Sequence, residues 1–148
     1  MSAPARPIAR ECVEGYLYAT EPIALLLFRR GPSRGRIWVP VSGKVEPSDA
    51  DLEAALRREL REETGLADPL RVWALDWHVP FEVAPGEMWR LHAYAVEVVR
   101  GFEPVLSAEH EAAEWVTPEE ATRRLHYEDN RQAVAHLLAR LGTASESL

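Results

Sequence analysis

Glu59, Glu62 and Glu63 lie close together in a stretch dominated by alanine, leucine, glutamate and arginine. Those residues favour a helix. At 3.6 residues per turn the three carboxylates project to one side. The cluster is costly by itself. Glu59 and Glu63 form an i,i+4 like-charge pair, and Glu62 and Glu63 sit in the last turn before Gly65, where the helix dipole disfavours negative charge. Arg58, one turn before Glu62, offsets part of this. A hard divalent cation offsets more, because carboxylate oxygens are the ligands that Mg2+ accepts. The chemistry available to such a group is activation of a metal-bound water and neutralisation of charge on an attacked phosphorus. A solvated acidic face is the plain alternative. The preceding loop, Gly43-Lys44-Val45-Glu46-Pro47, argues against it, since a glycine there lets backbone approach a metal or phosphate closely.

The segment from Gly43 to Leu66 reads GKVEPSDADLEAALRRELREETGL. It resembles the Nudix box. The second half of that pattern is matched in full by Arg58, Glu59, Leu60, Glu62, Glu63, Gly65 and Leu66. The first half departs from it. Fifteen positions separate Gly43 from Arg58, one more than in the pattern, and the loop glutamate is replaced by Asp49, or by Ala50 if the extra residue falls earlier. The resemblance implies an α/β fold, an α/β/α sandwich with a mixed central sheet between helices, formed by one domain over residues 1–148. It implies Mg2+, with Mn2+ as the alternative ion, held by Glu59, Glu62, Glu63 and a backbone carbonyl at Gly43. It implies that Arg58 holds the helix carboxylates and the loop in place. A further acidic residue often comes from a distant loop. Glu109, Glu111 and Glu114 are the candidates, and Glu109 is favoured because Ser107-Ala108-Glu109-His110 and the spacing to Trp115 look like family members. The proton acceptor would be Glu62, Glu63 or Glu109, and the sequence does not choose among them.

The elements that must position these groups are legible to different degrees. Val13 to Tyr18 and Ile23 to Arg30 read as strands, the second with a continuous apolar run, Leu25 to Phe28, that suits burial on both faces. Ile37 to Val41 is a short extended stretch. Asp49 to Thr64 is the clearest helix, with Ser48, Asp49 and Asp51 as capping oxygens and Gly65 beyond its end. Arg71 to Pro80 and Met88 to Val99 read as strands around a turn at Pro85-Gly86-Glu87. Glu114 to Val116 is a short strand. Thr117, Pro118 and Glu120 open a helix, and Asp129 to Leu141 forms the last one, ended by Gly142. Residues 1–10 and 143–148 are expected to be loose.

Composition narrows the partners. Seventeen basic against twenty-four acidic residues give a formal charge of -7. That disfavours a nucleic-acid backbone binder, which needs a positive stripe, and weakens an RNA 5′-end hydrolase. A small phosphorylated substrate remains compatible, brought in by the metal. Cys12 is the only cysteine, so no disulfide forms within one chain, and it reads as a buried small hydrophobe. No apolar run reaches the ~18 residues of a membrane span, no signal peptide is evident, and the cytoplasm is the expected location. The lead-in could pair with a sheet or with a second copy, so an oligomer stays open. Arg29, Arg30, Arg36 and Lys44 are the basic residues nearest to hand for phosphate. Trp38 and Trp77, or His78, could border a substrate ring. Two subfamily likenesses compete. Trp38 to Gly43 with Glu109-His110, Trp115 and Asn130-Arg131-Gln132-Ala133 look like dihydroneopterin triphosphate and nucleoside triphosphate hydrolases. Val45-Glu46-Pro47 with Asp51-Leu52-Glu53 and Ala55-Leu56-Arg57 look like dinucleoside tetraphosphate hydrolases. A small triphosphate is the favoured substrate. A sensor that binds a nucleotide without cutting it is the rival from another class.

Overall fold

The computed structural model describes residues 7–146. Seven strands, β1 (Ile8–Ala19), β2 (Ala24–Arg30), β3 (Trp38–Val39), β4 (Val41–Lys44), β5 (Arg71–Ala84), β6 (Glu87–Glu97) and β7 (His110–Val116), build one sheet. Among the described residues there are also three α-helices, α1 (Leu52–Thr64), α2 (Pro118–Arg124) and α3 (Glu128–Glu146). The main strand order is β3-β2-β1-β6-β5, with β4 paired to β1 and β7 to β2. The sheet is mixed: β1 runs parallel to β6 and antiparallel to β2 and β4.

Period-two alternation along β1 sorts its side chains between two cores. Val13 and Leu17 face Leu56 and Leu60 of α1, while Tyr16 and Tyr18 face Ala133, Val134 and Leu137 of α3. Helices therefore cover both faces, and the α/β/α sandwich expected from the sequence is what forms. Gly15 is needed on the α1 side, since a Cβ there would stand 3.0 Å from the Leu56 side chain.

One pairing detail positions everything that follows. The side of β1 away from β6 is shared: residues 12–15 pair with β4, and residues 17–19 pair with β2. The two strands β2 and β4 part at that point.

Several boundaries differ from the sequence expectation. Ile8 to Arg10 are not loose but begin β1, where they align with β6. Helix α1 starts at Leu52 rather than Asp49, because Asp51 is its N-cap and accepts a hydrogen bond from the Ala54 N–H at 2.8 Å. Gly65 ends it with φ of 74° in the left-handed region, its N–H bonded to the Arg61 carbonyl. Gly142 does not end α3, which continues to Glu146. Strand β7 begins at His110, four residues before the expected start. The expected looseness of residues 1–6 and 147–148 falls outside the described residues. No helix among the described residues is long and apolar enough to cross a membrane.

Candidate active site

Arg58 is the centre of the carboxylate-bearing corner. Its guanidinium donates to both oxygens of Asp49 at 2.9 and 3.0 Å, to Glu59 at 2.9 Å, to Glu62 at 3.2 Å and to the Lys44 carbonyl at 2.9 Å. One planar, fixed-charge group thus ties the loop, the helix and the end of β4 together. The Asp49 hydrogen bonds raise the Arg58 pKa still further, and Arg58 in turn holds the Asp49 carboxyl below its ordinary range. Asp51 caps the helix, which frees Asp49 to take the arginine.

Glu59 and Glu63 are both buried. Burial pushes the Glu59 carboxyl up to about 7 against the opposing effect of Arg58, with Glu62 and Glu63 adding repulsion. Burial also raises Glu63, although the Ser107 hydroxyl donates to it at 2.6 Å, and Glu109 raises it further. Ser107 accepts from the Glu109 N–H at 3.2 Å. It therefore ties the loop carrying Glu109 to the helix carrying Glu63. His110 stands beside them, with Nδ1 3.5 Å from Glu63 and without a hydrogen-bond partner, and desolvation favours its neutral form.

The donor set suits a hard divalent cation. It gathers carboxylates whose burial is only partly offset by one arginine, set against a glycine backbone. A Cβ at Gly43 would lie 2.1 Å from the Glu59 carboxyl carbon, so this position is a cradle for the carboxylate. Among the described residues no three acidic, histidine or cysteine groups yet converge on one point. Arg58 holds Glu59 and Glu62, and Ser107 holds Glu63. Rotation of these long side chains is what would gather them. Gly43→Ala is accordingly expected to fold, because the atoms it displaces end a flexible side chain. Its kcat should fall by about 10- to 100-fold as Glu59 is pushed out of place; steady-state kinetics beside a thermal melt would check both parts.

A cavity of about 770 Å3 adjoins this corner. Gly43, Lys44, Glu46, Glu59, Glu109 and His110 line it, as do Arg30 and Arg34. Its other walls come from Phe81 and Trp89 of the β5–β6 hairpin and from Glu14, Asp129 and Asn130. Lys44 and Arg10 approach the Trp89 ring at 4.9 and 5.9 Å from its centroid. Such a volume suits a nucleotide-sized ligand.

The expected ring and phosphate contacts divide. Arg30 and Lys44 border the cavity, whereas Arg29, Trp38 and Trp77 do not. Arg29 is paired with Glu111 at 2.9 Å and lies over Trp38, whose ring also meets Arg124. Trp77 packs against His136 of α3, ring centroids 4.5 Å apart. Arg36 also approaches Glu111, at 3.6 Å. Sequence reasoning passed over Arg34, Phe81, Trp89 and Glu14. For Trp89 the alternation with Leu91, Ala93 and Ala95 was the available signal.

Glu14 is 2% exposed, on the α3 face. It accepts a hydrogen bond from Tyr16 at 2.6 Å, and Asn130 donates to that same hydroxyl at 3.0 Å. Burial raises its pKa from 4.5 to about 7, with Tyr16 opposing and Asp129 assisting. Because the folded value is the higher, the unfolded chain releases this proton first as pH rises. The penalty grows from about pH 4.5 to 7 and is complete above that. Wild-type stability should therefore fall by about 3 kcal/mol across that window through this group, and Glu14→Gln should remove that part of the slope. Urea unfolding at pH 5 and pH 8 would measure it.

Comparison with known proteins agrees with the geometry. The profile of the NUDIX domain matches residues 13–137. The octanoyltransferase of Myxococcus xanthus is 37% identical over 118 residues, covering 78% of this chain and 32% of that protein. The chain thus spans about a third of the length of that curated relative. Among solved structures, a Caenorhabditis elegans Ap4A hydrolase binary complex superposes with a TM-score of 0.76 at 20% identity, over 91% of this chain and 99% of that one. The Escherichia coli dihydroneopterin triphosphate pyrophosphohydrolase gives 0.74 at 22% identity, over 86% and 95%. These two likenesses speak to the fold.

Proposed function

The chain belongs to the Nudix family of phosphorus-anhydride hydrolases, and on that premise we propose that it cleaves a diphosphate linkage in a small organic triphosphate. Nucleoside triphosphates and dihydroneopterin triphosphate are the substrate class. The observation that carries this is the Glu59 carboxylate lodged against the Gly43 backbone at the edge of a nucleotide-sized cavity.

Glu59, Glu62, Glu63, Glu109 and the Gly43 carbonyl are the groups that would hold Mg2+ or Mn2+. The bound ion supplies a water acidified toward neutral pH and neutralisation of phosphate charge. The chain's own residues do the rest. Arg58 keeps the loop and the helix carboxylates in register. Arg30, Arg34 and Lys44 border the cavity, where they can donate charge-assisted hydrogen bonds to polyphosphate oxygens. Glu62, Glu63 or Glu109 accepts the proton of the attacking water. Glu63 and Glu109 are linked through Ser107, so movement of the loop shifts both together.

The test is a panel of GTP, ATP, dihydroneopterin triphosphate and diadenosine tetraphosphate, each with Mg2+ in 18O-labelled water. Turnover of a triphosphate with label in one product identifies the attacked phosphorus. Preferential cleavage of diadenosine tetraphosphate would move the assignment to dinucleoside polyphosphates. Tight binding without cleavage of any member would leave a nucleotide-binding sensor.

A further inference from the structure

We propose that His78 and His92 form a second metal site, apart from the carboxylate corner, and that it takes a borderline divalent ion of the Zn2+, Ni2+ or Cu2+ class. The site belongs to the β5–β6 hairpin and stands whatever substrate the chain cleaves.

The strands bring the two rings together. Pairing of β5 with β6 breaks after Ala74↔Tyr94 and resumes at His78↔His92. Leu75, Asp76 and Trp77 are thereby set against Ala93 alone, and Asp76 takes φ of 56°. Residues directly opposite in an antiparallel pair point to the same face, near enough for their side chains to meet. That face is the one α1 covers, since Tyr94 and Val96, on the same alternation as His92, pack with Leu56 and Leu60. The result is two imidazole Nδ1 atoms 3.0 Å apart, with ring centroids 5.0 Å apart and planes at 73°.

The other ring nitrogen of His92 decides what its Nδ1 can do. Nε2 lies 2.6 Å from Glu11. Arg90 donates to both oxygens of Glu11, and those hydrogen bonds hold the carboxyl below its ordinary range. An ionised carboxylate only accepts, so His92 Nε2 carries the hydrogen and the neutral ring turns a lone pair at Nδ1 toward His78. A carboxylate behind one ring nitrogen and a lone pair at the other is the arrangement that orients metal-ligating histidines. His78 is exposed. Its ring either donates a hydrogen to that lone pair or, as the other tautomer, sets a second lone pair beside it. With metal–nitrogen bonds of about 2.05 Å, nitrogens 3.0 Å apart subtend about 94° at a shared ion. That is the cis angle of a tetragonal centre such as Cu2+ or Ni2+, and widening the gap by about 0.3 Å gives the tetrahedral angle of Zn2+.

The class of ion follows from the donors. Imidazole suits Zn2+, Ni2+ and Cu2+, whereas Mg2+ asks for oxygens. Arg90 offsets the Glu11 charge, so the site selects by ligand type and not by negative field. Gly43, Val13, His92 and His78 stand in register on four neighbouring strands. His92 is therefore two strand spacings, about 10 Å, from Gly43. Neither histidine lines the cavity. Among the described residues no third acidic, histidine or cysteine group joins them, and water fills the remaining positions. An ion here clips β5 to β6 just beyond the break, at the root of the hairpin arm that carries Phe81 and Trp89 to the cavity wall.

The test titrates the untagged whole chain with ZnCl2 and, separately, NiCl2 by calorimetry, in excess Mg2+ so that the carboxylate corner is taken. One equivalent of either ion is expected to bind and to raise the melting temperature. His78→Gln removes an exposed ligand. It should weaken that binding by about a hundredfold or more, beyond the loss from a supporting group, and abolish the rise in melting temperature. Glu11→Gln gives His92 a weaker acceptor and should weaken binding by about 10- to 100-fold. His126→Gln, at neither site, should leave binding unchanged. Failure of the wild type to bind either ion overturns the proposal. So does an unchanged affinity in His78→Gln or Glu11→Gln once its melt shows a folded protein, or loss of binding in folded His126→Gln.

Discussion

Glu59→Gln and Glu63→Gln proteins are each expected to fold as the parent does and to lose on the order of a thousandfold in kcat. Both carboxylates are buried, and burial raises the pKa of both. In the fold they are a cost. Glutamine keeps the shape and removes a charge that the interior disfavours, so the melting temperature should stay level or rise. In the proposed reaction they are the ligands, and an amide oxygen is a far weaker partner for a divalent ion than a carboxylate. The two readouts move in opposite directions. A solvated acidic face predicts neither. Kinetics across a Mg2+ titration beside thermal melts would decide it, and retention of more than a tenth of the parent kcat in both variants would remove these glutamates from the metal site. Glu62→Gln and Glu109→Gln belong in the same series. Whichever flattens the alkaline-rising limb of the rate profile is the proton acceptor.

Arg58→Ala should do damage of a different kind. The side chain serves Asp49, Glu59, Glu62 and the Lys44 carbonyl at once. Removing it leaves Glu59 buried without its cation and releases the loop from the helix. Breaking a fully buried ion pair costs about 3–5 kcal/mol. Glu62 is exposed and keeps its water, so about 2 kcal/mol is the expected loss here. The rate should fall by about a hundredfold or more, because the Gly43 backbone and the Glu59 carboxylate no longer keep a common position. Arg58→Lys is the informative companion. It restores charge but not the planar fork, so it should recover stability in part and activity little. Denaturant unfolding with parallel kinetics would separate the two effects, and full rescue by lysine would contradict the positioning role.

The helical half of the site was legible in the sequence because helix geometry is local. Spacing alone puts Glu59, Glu62 and Glu63 on one side, and Gly65 marks the end. The loop half was not. Asp49, Asp51 and Ser48 were equivalent as capping candidates, and only the folded loop shows that Asp51 caps while Asp49 meets Arg58. The rings fared worst, for a reason that alternation cannot supply. Trp73, Trp77 and Phe81 share parity on β5, and a bulge between Ala74 and His78 leaves that parity intact. What separates them is where α3 crosses the sheet. His136 covers Trp77, while Phe81 lies in the cavity wall. That crossing is set by tertiary packing, to which neither strand nor helix periodicity refers. Trp38 fell to the same effect, enclosed between Arg29 and Arg124.

Strand β4 has β1 as its one strand partner among the described residues, and this gives the molecule a ruler. Glu14 lies on the α3 face of the sheet and Glu59 on the α1 face, and the cavity reaches both. Ser42, Gly43 and Lys44 of β4 line that cavity, and the register Cys12↔Lys44 to Gly15↔Val41 fixes where they stand. On the proposed assignment, a ligand that reaches from the α3 face to the carboxylates runs along β4, so the length of its phosphate chain sets which anhydride meets them, and lengthening or shortening that chain should move the cut by whole phosphate units.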